Sequence, residues 1–163
     1  MNTSHKLQAL SIEKIKRDFI LINSIYFSEI IYDENNQFFD LYLKTGANGN
    51  LSPQIKIYNE LIENLNKYLT KINTYIKSTY TNSEKKKAAE LNEKKLKISV
   101  VEISGDNYSF DTVLICEKEY KYFRIFKKSI AIRTEIKNGR IISMERKSNM
   151  LKENKKNILP QRM

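Results

Sequence analysis

Residues 51–80 carry apolar side chains at steps of three and four, the spacing of an amphipathic helix. Ser52 is a good N-cap residue, and Pro53 suits the first helical position. The pattern predicts one long helix over residues 52–80, with a buried stripe that needs a partner surface. The stripe consists of Ile55, Tyr58, Leu61, Ile62, Leu65, Tyr68, Leu69, Ile72, Tyr75, Ile76 and Tyr80.

Two partner surfaces fit this stripe. A second helix fits because many of the apolar positions also follow a heptad, but the pattern lasts only about three heptads. Leu61, Tyr68 and Tyr75 widen the stripe beyond a coiled-coil seam. We therefore expect the helix to pack on a sheet, with a coiled coil as the alternative.

The residues before the helix predict a β-hairpin. Residues 19–32 are dense in Ile, Phe, Tyr and Leu, which favour strands, and residues 38–45 alternate loosely in polarity. A polar turn at 33–37 separates the two runs. Residues 1–10 predict a frayed terminus, and Ser11 either caps a short helix or precedes the first strand.

The residues after the helix predict further strands. Residues 81–95 are polar and predict either a solvated second helix or a mobile linker, with the lysine run at 85–87 as a solvated face. From Leu96 the period changes to two, so that Ile98 and Val100 are expected to face one way. Two more strands are expected over residues 109–117 and 120–128.

The last hairpin has the clearest signal. Residues 130–137 meet residues 140–147 across Asn138-Gly139, a dipeptide that accepts the positive φ angles of a type I′ turn. The side chains expected to face one way are Ile130, Ile132, Thr134 and Ile136.

These elements predict an α+β fold: a mostly antiparallel twisted sheet with one long amphipathic helix packed on one face. We expect a single domain over residues 1–147. Residues 148–163 lose all periodicity and carry several lysines, so they predict a basic, flexible tail.

The net charge of +10 is unevenly distributed. Residues 1–51 carry five Lys/Arg against six Asp/Glu, whereas residues 95–163 carry sixteen against eight. A basic region suits nucleic acid, an anionic membrane or an acidic protein. An A/T-rich coding sequence would produce the same bias towards Lys, Asn, Ile and Tyr without any ligand.

Several function classes have no support in the sequence. His5 is the only histidine and Cys116 the only cysteine, so neither a histidine-based triad nor a cysteine-rich metal site is expected. Cys116 predicts a buried, inert thiol. The glycines do not form a phosphate-binding loop. We expect no cofactor, no metal, no membrane span and, since no signal peptide is evident, a cytoplasmic location.

A metal-dependent nuclease is the enzyme class that comes nearest to a match. Asp111, Glu135 and Lys137 could form a carboxylate–carboxylate–lysine set. The Glu-x-Lys spacing, however, recurs at several other places in the chain, so its presence at 135–137 is uninformative. We expect no enzymatic activity.

Aromatic and basic residues interleave over residues 120–128, as they do in surfaces that stack bases and neutralise phosphates. A half-buried strand with aromatic residues inward and lysines outward has the same pattern. The candidate contacts for a protein partner or a nucleic acid are Tyr122, Arg124, Lys127, Lys128, Arg133 and Arg140.

The order of a hairpin, a helix opening Ser52-Pro53-Gln54 and a C-terminal β-meander resembles a group of small bacterial α+β domains of unknown function. Some of these are similar to immunity proteins of polymorphic-toxin loci. The resemblance spans residues 26–147 and includes the helix segments 58–61 and 64–65. This chain departs from the group in two ways. Gln54 directly follows Pro53, whereas helices in the group open with a Ser-Pro-x-x-Gln-like start, and the Trp-rich acidic strand of many such domains is absent. The resemblance supplies no catalytic residue and implies a binding module.

The sequence thus predicts a non-catalytic, immunity-like protein-interaction module with an unknown protein partner. The alternative is a basic protein that associates with nucleic acid non-specifically. An interaction module predicts an apolar or mixed surface patch, whereas a nucleic-acid binder predicts Arg124, Lys127, Lys128, Arg133 and Arg140 on one exposed face. The oligomeric state is not predicted.

Overall fold

A computed structural model describes residues 4–46, 49–104, 109–121 and 126–147. The fold is α+β, as predicted, but its mostly antiparallel sheet has eight strands and is larger than expected. The strands are β1 (Ser4–Lys6), β2 (Ile20–Ile22), β3 (Ile25–Ile31), β4 (Phe38–Lys44), β5 (Lys97–Ile103), β6 (Thr112–Lys121), β7 (Lys127–Lys137) and β8 (Arg140–Arg146). The helices are α1 (Ile12–Asp18), α2 (Ser52–Glu63), α3 (Leu65–Ser78), α4 (Asn82–Lys85) and α5 (Ala88–Glu93).

The strands follow the order β1-β3-β4-β5-β6-β7-β8, and β2 pairs with β3 beside β1. β4 and β5 are parallel because helices α2 to α5 form the crossover between them. β1 also runs parallel to β3. The N-terminal residues were expected to be frayed, but Ser4–Lys6 form a strand and Leu10 is buried. Residues 148–163, the predicted tail, lie outside the part of the chain that the structure describes.

The prediction of one long helix over 52–80 is wrong, because α2 and α3 are separated at Asn64. The side-chain amide of Asn64 donates to the carbonyl oxygen of Glu60 at 2.8 Å, and so competes with the backbone for that acceptor. The predicted stripe nevertheless faces the sheet on both sides of the break. Tyr58 and Leu61 are buried in α2, and Tyr68, Ile72 and Ile76 are buried in α3. The sheet, not a second helix, covers this stripe.

The start of α2 differs from the prediction. Ser52 is its first residue, and Leu51 occupies the N-cap position without a side-chain cap. The amide of Ser52 donates to Asn50 Oδ1 at 3.0 Å. Gln54 is buried and donates to the carbonyl oxygen of Lys44 at 2.7 Å, which fixes the helix start to the end of β4. Ser11, by contrast, is the N-cap of α1, and its Oγ accepts from the amide of Lys14.

Two hairpins contain two-residue turns with positive φ. The predicted Asn138-Gly139 turn is confirmed, with φ angles of 50° and 73°. A second turn of this kind, at Asn23 and Ser24, joins β2 to β3 and was not predicted. It divides the run 19–32 into two strands instead of one.

The C-terminal strands also depart from the predicted ranges. A register shift between Ile98 and Val100 changes the alternation of β5, so that Val101 and Ile103 share the buried face with Ile98. β6 is a single strand that continues to Lys121, and residues 127–128 already belong to β7. The expected strand over 120–128 is therefore wrong. The polar stretch 81–95 forms the two short helices α4 and α5.

The main core lies between one face of the sheet and the helices. In β7 the predicted inward set Ile130, Ile132, Thr134 and Ile136 is buried, which confirms the alternation of that strand. We call this side of the sheet the helix face. The opposite side, the second face, carries the residues that alternate with the core positions.

Candidate interaction surface

An apolar patch lies on the second face at the N-terminal end of the sheet. The register aligns Ile20 of β2 with Phe27 of β3 and Tyr42 of β4, and the next row aligns Ile22 with Ile25. Directly paired residues in a sheet point to the same side, so these five side chains form one surface. We call Ile20, Ile22, Ile25, Phe27 and Tyr42 the N-terminal patch.

The patch combines exposed aliphatic residues with an aromatic pair. Ile20 and Ile22 are 42% and 61% exposed, and Phe27 and Tyr42 are half-buried with ring centroids 5.2 Å apart. Lys44 and Glu102 lie at its border and form an ion pair of 2.6 Å. Aromatic residues with part of their surface exposed, beside a charge-balanced border, are typical of surfaces that bind protein.

The edge of the sheet beside this patch is also apolar. β2 reads Ile20-Leu21-Ile22, and all three residues are exposed. Within the described part of the chain, β2 pairs with β3 alone. Sheet edges of this kind are usually protected by charges or proline, because their free backbone groups can pair with another chain.

The basic candidate residues do not form one cluster. Lys127 and Arg133 lie on the second face, but they are six residue steps apart along β7, about 20 Å. Register places Lys128 on the helix face, opposite Tyr120. Arg140 is the first residue of β8, beside the β7–β8 turn and at the opposite end of β7 from Lys127. Tyr122 and Arg124 lie outside the described residues.

Carboxylates also neutralise part of this basic region. Arg133 pairs with Glu135 on the same strand, and its guanidinium lies 5.3 Å from the centroid of the Phe110 ring. Glu145 is the register partner of Arg133 on β8. Among the described candidates, therefore, positive charges are spread along the strands and interspersed with negative ones.

The suggested carboxylate–lysine set has other structural partners. Asp111 is buried, where it accepts from the amide of Asn138 and the hydroxyl of Thr112, each at 3.0 Å. Glu135 instead pairs with Arg133. Among the residues that the structure describes, no group of three or more His, Cys, Asp or Glu side chains is arranged to hold a metal.

A cleft of about 430 Å³ lies between the start of α2 and the turn that joins β7 to β8. Its polar lining includes Asp111 and Tyr68, whose hydroxyl donates to the carbonyl oxygen of Gly139 at 3.0 Å. Tyr68 therefore fixes the Asn138-Gly139 turn to α3, and Asp111, which accepts from the Asn138 amide, fixes it to the start of β6. Lys56 and Glu60 line the side formed by α2.

Two reactive residue types are buried in the core. Burial raises the pKa of the Cys116 thiol to about 12, as expected for the predicted inert thiol. Lys118 is also buried, and its Nζ donates to Asn73 Oδ1 at 2.6 Å. Burial, together with the neighbouring charge of Lys77, lowers the pKa of Lys118.

The N-terminal patch was not predicted from the sequence, because residues 19–32 were assigned to one strand and the turn at Asn23-Ser24 was not recognised. The positive φ values that Asn tolerates are a recognisable turn signal, and Asn23-Ser24 lies between the apolar triplets Ile20-Leu21-Ile22 and Ile25-Tyr26-Phe27. The capping box of α4 was also missed. Thr81 and Glu84 have the spacing of that motif, and each side chain bonds the other's backbone amide.

No protein-family model, no curated protein and no solved structure matches this chain. The residues behind the resemblance to small bacterial domains do have visible structural roles. Asn59 bonds both the amide and the carbonyl oxygen of Leu10, and Tyr58 and Leu61 are core residues.

No helix in the described ranges is long and apolar enough to cross a membrane.

Proposed function

We propose that this protein is a non-catalytic protein-interaction module of immunity-like type, and that it contacts a protein partner through the N-terminal patch. The observation that supports this proposal is the juxtaposition of exposed Ile20 and Ile22 with the half-buried Phe27–Tyr42 pair on one sheet face. Aromatic residues anchored in a sheet lose little side-chain freedom on binding, and they contribute strongly to interfaces. The resemblance to immunity proteins favours the same class.

The second candidate, non-specific association with nucleic acid, is favoured by one observation. Phe126 is 67% exposed and precedes the exposed Lys127 at the end of the β6–β7 hairpin. An exposed ring beside a cation could stack a base and contact a phosphate. The Arg133–Glu135 pair and the separation of Lys127 from Arg140 weigh against a continuous cationic track.

The two functions predict opposite effects for two matched substitutions. Phe27→Ala removes the aromatic centre of the N-terminal patch, and Phe126→Ala removes a ring at the remote hairpin. The tagged protein would be used to recover partners from its source cells, and binding would then be measured by calorimetry with the purified partner. We expect Phe27→Ala to weaken binding at least about tenfold, as for an aromatic hot spot, and Phe126→Ala to have little effect.

Binding that is sensitive to Phe126→Ala and insensitive to Phe27→Ala would refute the proposed surface. Recovery of nucleic acid alone, with tight binding at physiological salt, would favour the second candidate. Thermal unfolding of both variants controls for loss of fold.

A further inference from the structure

We propose that β2 is a self-association edge, at which two copies of this chain pair their β2 strands antiparallel across a two-fold axis. The basis is this apolar edge strand, which borders the N-terminal patch and, among the residues that the structure describes, pairs with β3 alone. This contact is distinct from the partner contact of the proposed function. A monomeric protein could still bind its partner through Phe27 and Tyr42.

The hairpin geometry identifies which backbone groups are free. In a two-residue hairpin the residues that flank the turn exchange both backbone hydrogen bonds, and here these are Ile22 and Ile25. The next pair, Leu21 with Tyr26, is then a non-hydrogen-bonded pair, so the amide and carbonyl of Leu21 point to the outer edge. Leu21 thus has one donor and one acceptor directed away from the sheet.

If the two-fold axis passes beside Leu21, the outward amide and carbonyl groups of the two copies can hydrogen-bond to each other. Each Leu21 amide would donate to the carbonyl oxygen of Leu21 in the other copy. Ile20 would lie opposite Ile22 of the second copy on the second face. The edge is therefore self-complementary in both hydrogen bonding and side-chain character, as an isologous contact requires.

The charge distribution favours a second copy as the occupant of this edge. Residues 1–51, which include β2, carry five Lys/Arg against six Asp/Glu, whereas residues 95–163 carry sixteen against eight. Pairing through β2 brings the two nearly neutral ends together. Strands β7 and β8, which carry six Lys/Arg against two Asp/Glu, then lie at the outer ends of the combined sheet, where their charge opposes the contact only weakly.

The pairing also leaves the second face accessible. Two N-terminal patches would become neighbours on one continuous sheet, and a dimer would present a doubled apolar surface to a protein partner. Because β2 has only three residues, the contact is small. We expect a dissociation constant between about 1 and 100 µM, in the range of weak, transient interfaces.

Sedimentation velocity of the full chain over a concentration series tests the inference. Leu21→Pro removes the one outward amide of β2 without removing a bond to β3, and proline is tolerated at such edge positions. Ile22→Lys places a charge in the contact. Ile142→Lys is the matched control, because Ile142 is 52% exposed on β8 at the opposite edge of the sheet.

The expected result is a concentration-dependent dimer for the unchanged chain and for Ile142→Lys, with at least tenfold weaker association for Leu21→Pro and Ile22→Lys. A chain that stays monomeric at millimolar concentration overturns the inference. So does a dimer that persists unchanged in both β2 variants. Far-ultraviolet circular dichroism and thermal unfolding show whether each variant retains the fold. If either β2 variant loses it, Leu21→Lys replaces that variant and carries the same expectation.

Discussion

Glu84 of α4 and Arg146 of β8 form a two-point ion pair across 62 residues of sequence, with both nitrogen–oxygen distances at 2.6 Å. The Glu84 side chain is only 4% exposed. The same carboxylate accepts from the amide of Thr81 at 2.9 Å, and Tyr120 donates to it at 3.4 Å. The pair therefore links the short helix after α3 to two strands of the sheet.

Glu84→Gln should destabilise the protein by about 3 kcal/mol, because the partly buried guanidinium of Arg146 would lose its counter-charge at a buried site. Lys147→Met is the control, since the Lys147–Glu145 pair is exposed and such pairs contribute about 0–1 kcal/mol. Urea unfolding measures both changes. Equal effects of the two substitutions would contradict the prediction.

The Glu84–Arg146 pair should also make the free energy of unfolding depend on pH in the acidic range. Its hydrogen bonds to Arg146 hold the pKa of the Glu84 carboxyl below its ordinary value. The stabilisation is therefore fully present above that ordinary value and is lost as pH falls through the lowered pKa. Unfolding free energies from neutral to acidic pH should converge for the unchanged chain and Glu84→Gln. A constant difference down to the lowest pH would disprove this linkage.

Ile72→Ala should cost about 2–5 kcal/mol, because it removes a fully buried side chain under the sheet. Leu65 was also expected to be buried, but it is only partly so. Leu65→Ala should therefore cost clearly less. Chemical unfolding of the two variants compares them directly, and a larger loss for Leu65→Ala would contradict the position of α3 in the structure.

Lys118→Met should stabilise the protein at neutral pH by about 1–3 kcal/mol, since it removes a buried ammonium whose desolvation is unfavourable. The pKa of Lys118 is lowered in the folded state, so the unfolded chain binds more protons between the folded and ordinary values. Stability of the unchanged chain should accordingly rise with pH through that window, and Lys118→Met should lose this rise. Thermal unfolding at several pH values measures both effects. A destabilised variant would show that the Lys118–Asn73 hydrogen bond dominates.

Nucleic-acid binding should be weak and steeply dependent on salt, with dissociation constants of roughly 10⁻⁴–10⁻⁶ M. The reason is that dispersed lysines contact only the phosphate backbone of the nucleic acid. Deletion of residues 148–163 should weaken it further without unfolding the protein. Fluorescence titration of single- and double-stranded oligonucleotides at two salt concentrations provides the measurement. Tight binding that requires Tyr122 or Phe123 would instead support base stacking.

Magnesium- or manganese-dependent nuclease activity is not expected, since the carboxylates of Asp111 and Glu135 are bonded to different partners. The assay incubates DNA and RNA with either metal and compares the chain with Glu135→Ala. Cleavage that Glu135→Ala abolishes would refute the prediction.

Local patterns in the sequence determined the element types and several of their ends. Asn138-Gly139 turns the last hairpin, and the alternation of β7 buries Ile132 and Thr134, as predicted. Ser11 caps α1, which was one of the two roles expected for it. These features depend on backbone preferences and side-chain periods within a few residues. For that reason they can be recognised without knowledge of the rest of the chain.

Only the tertiary structure decided which distant residues meet. The register shift in β5 and the parallel pairing of β1 with β3 depend on which strands lie side by side in the sheet. The Glu84–Arg146 pair and the N-terminal patch each bring together residues whose spacing in the sequence follows neither the helix nor the strand repeat. Their formation depends on strand order and register, which long-range packing selects and local propensity does not encode.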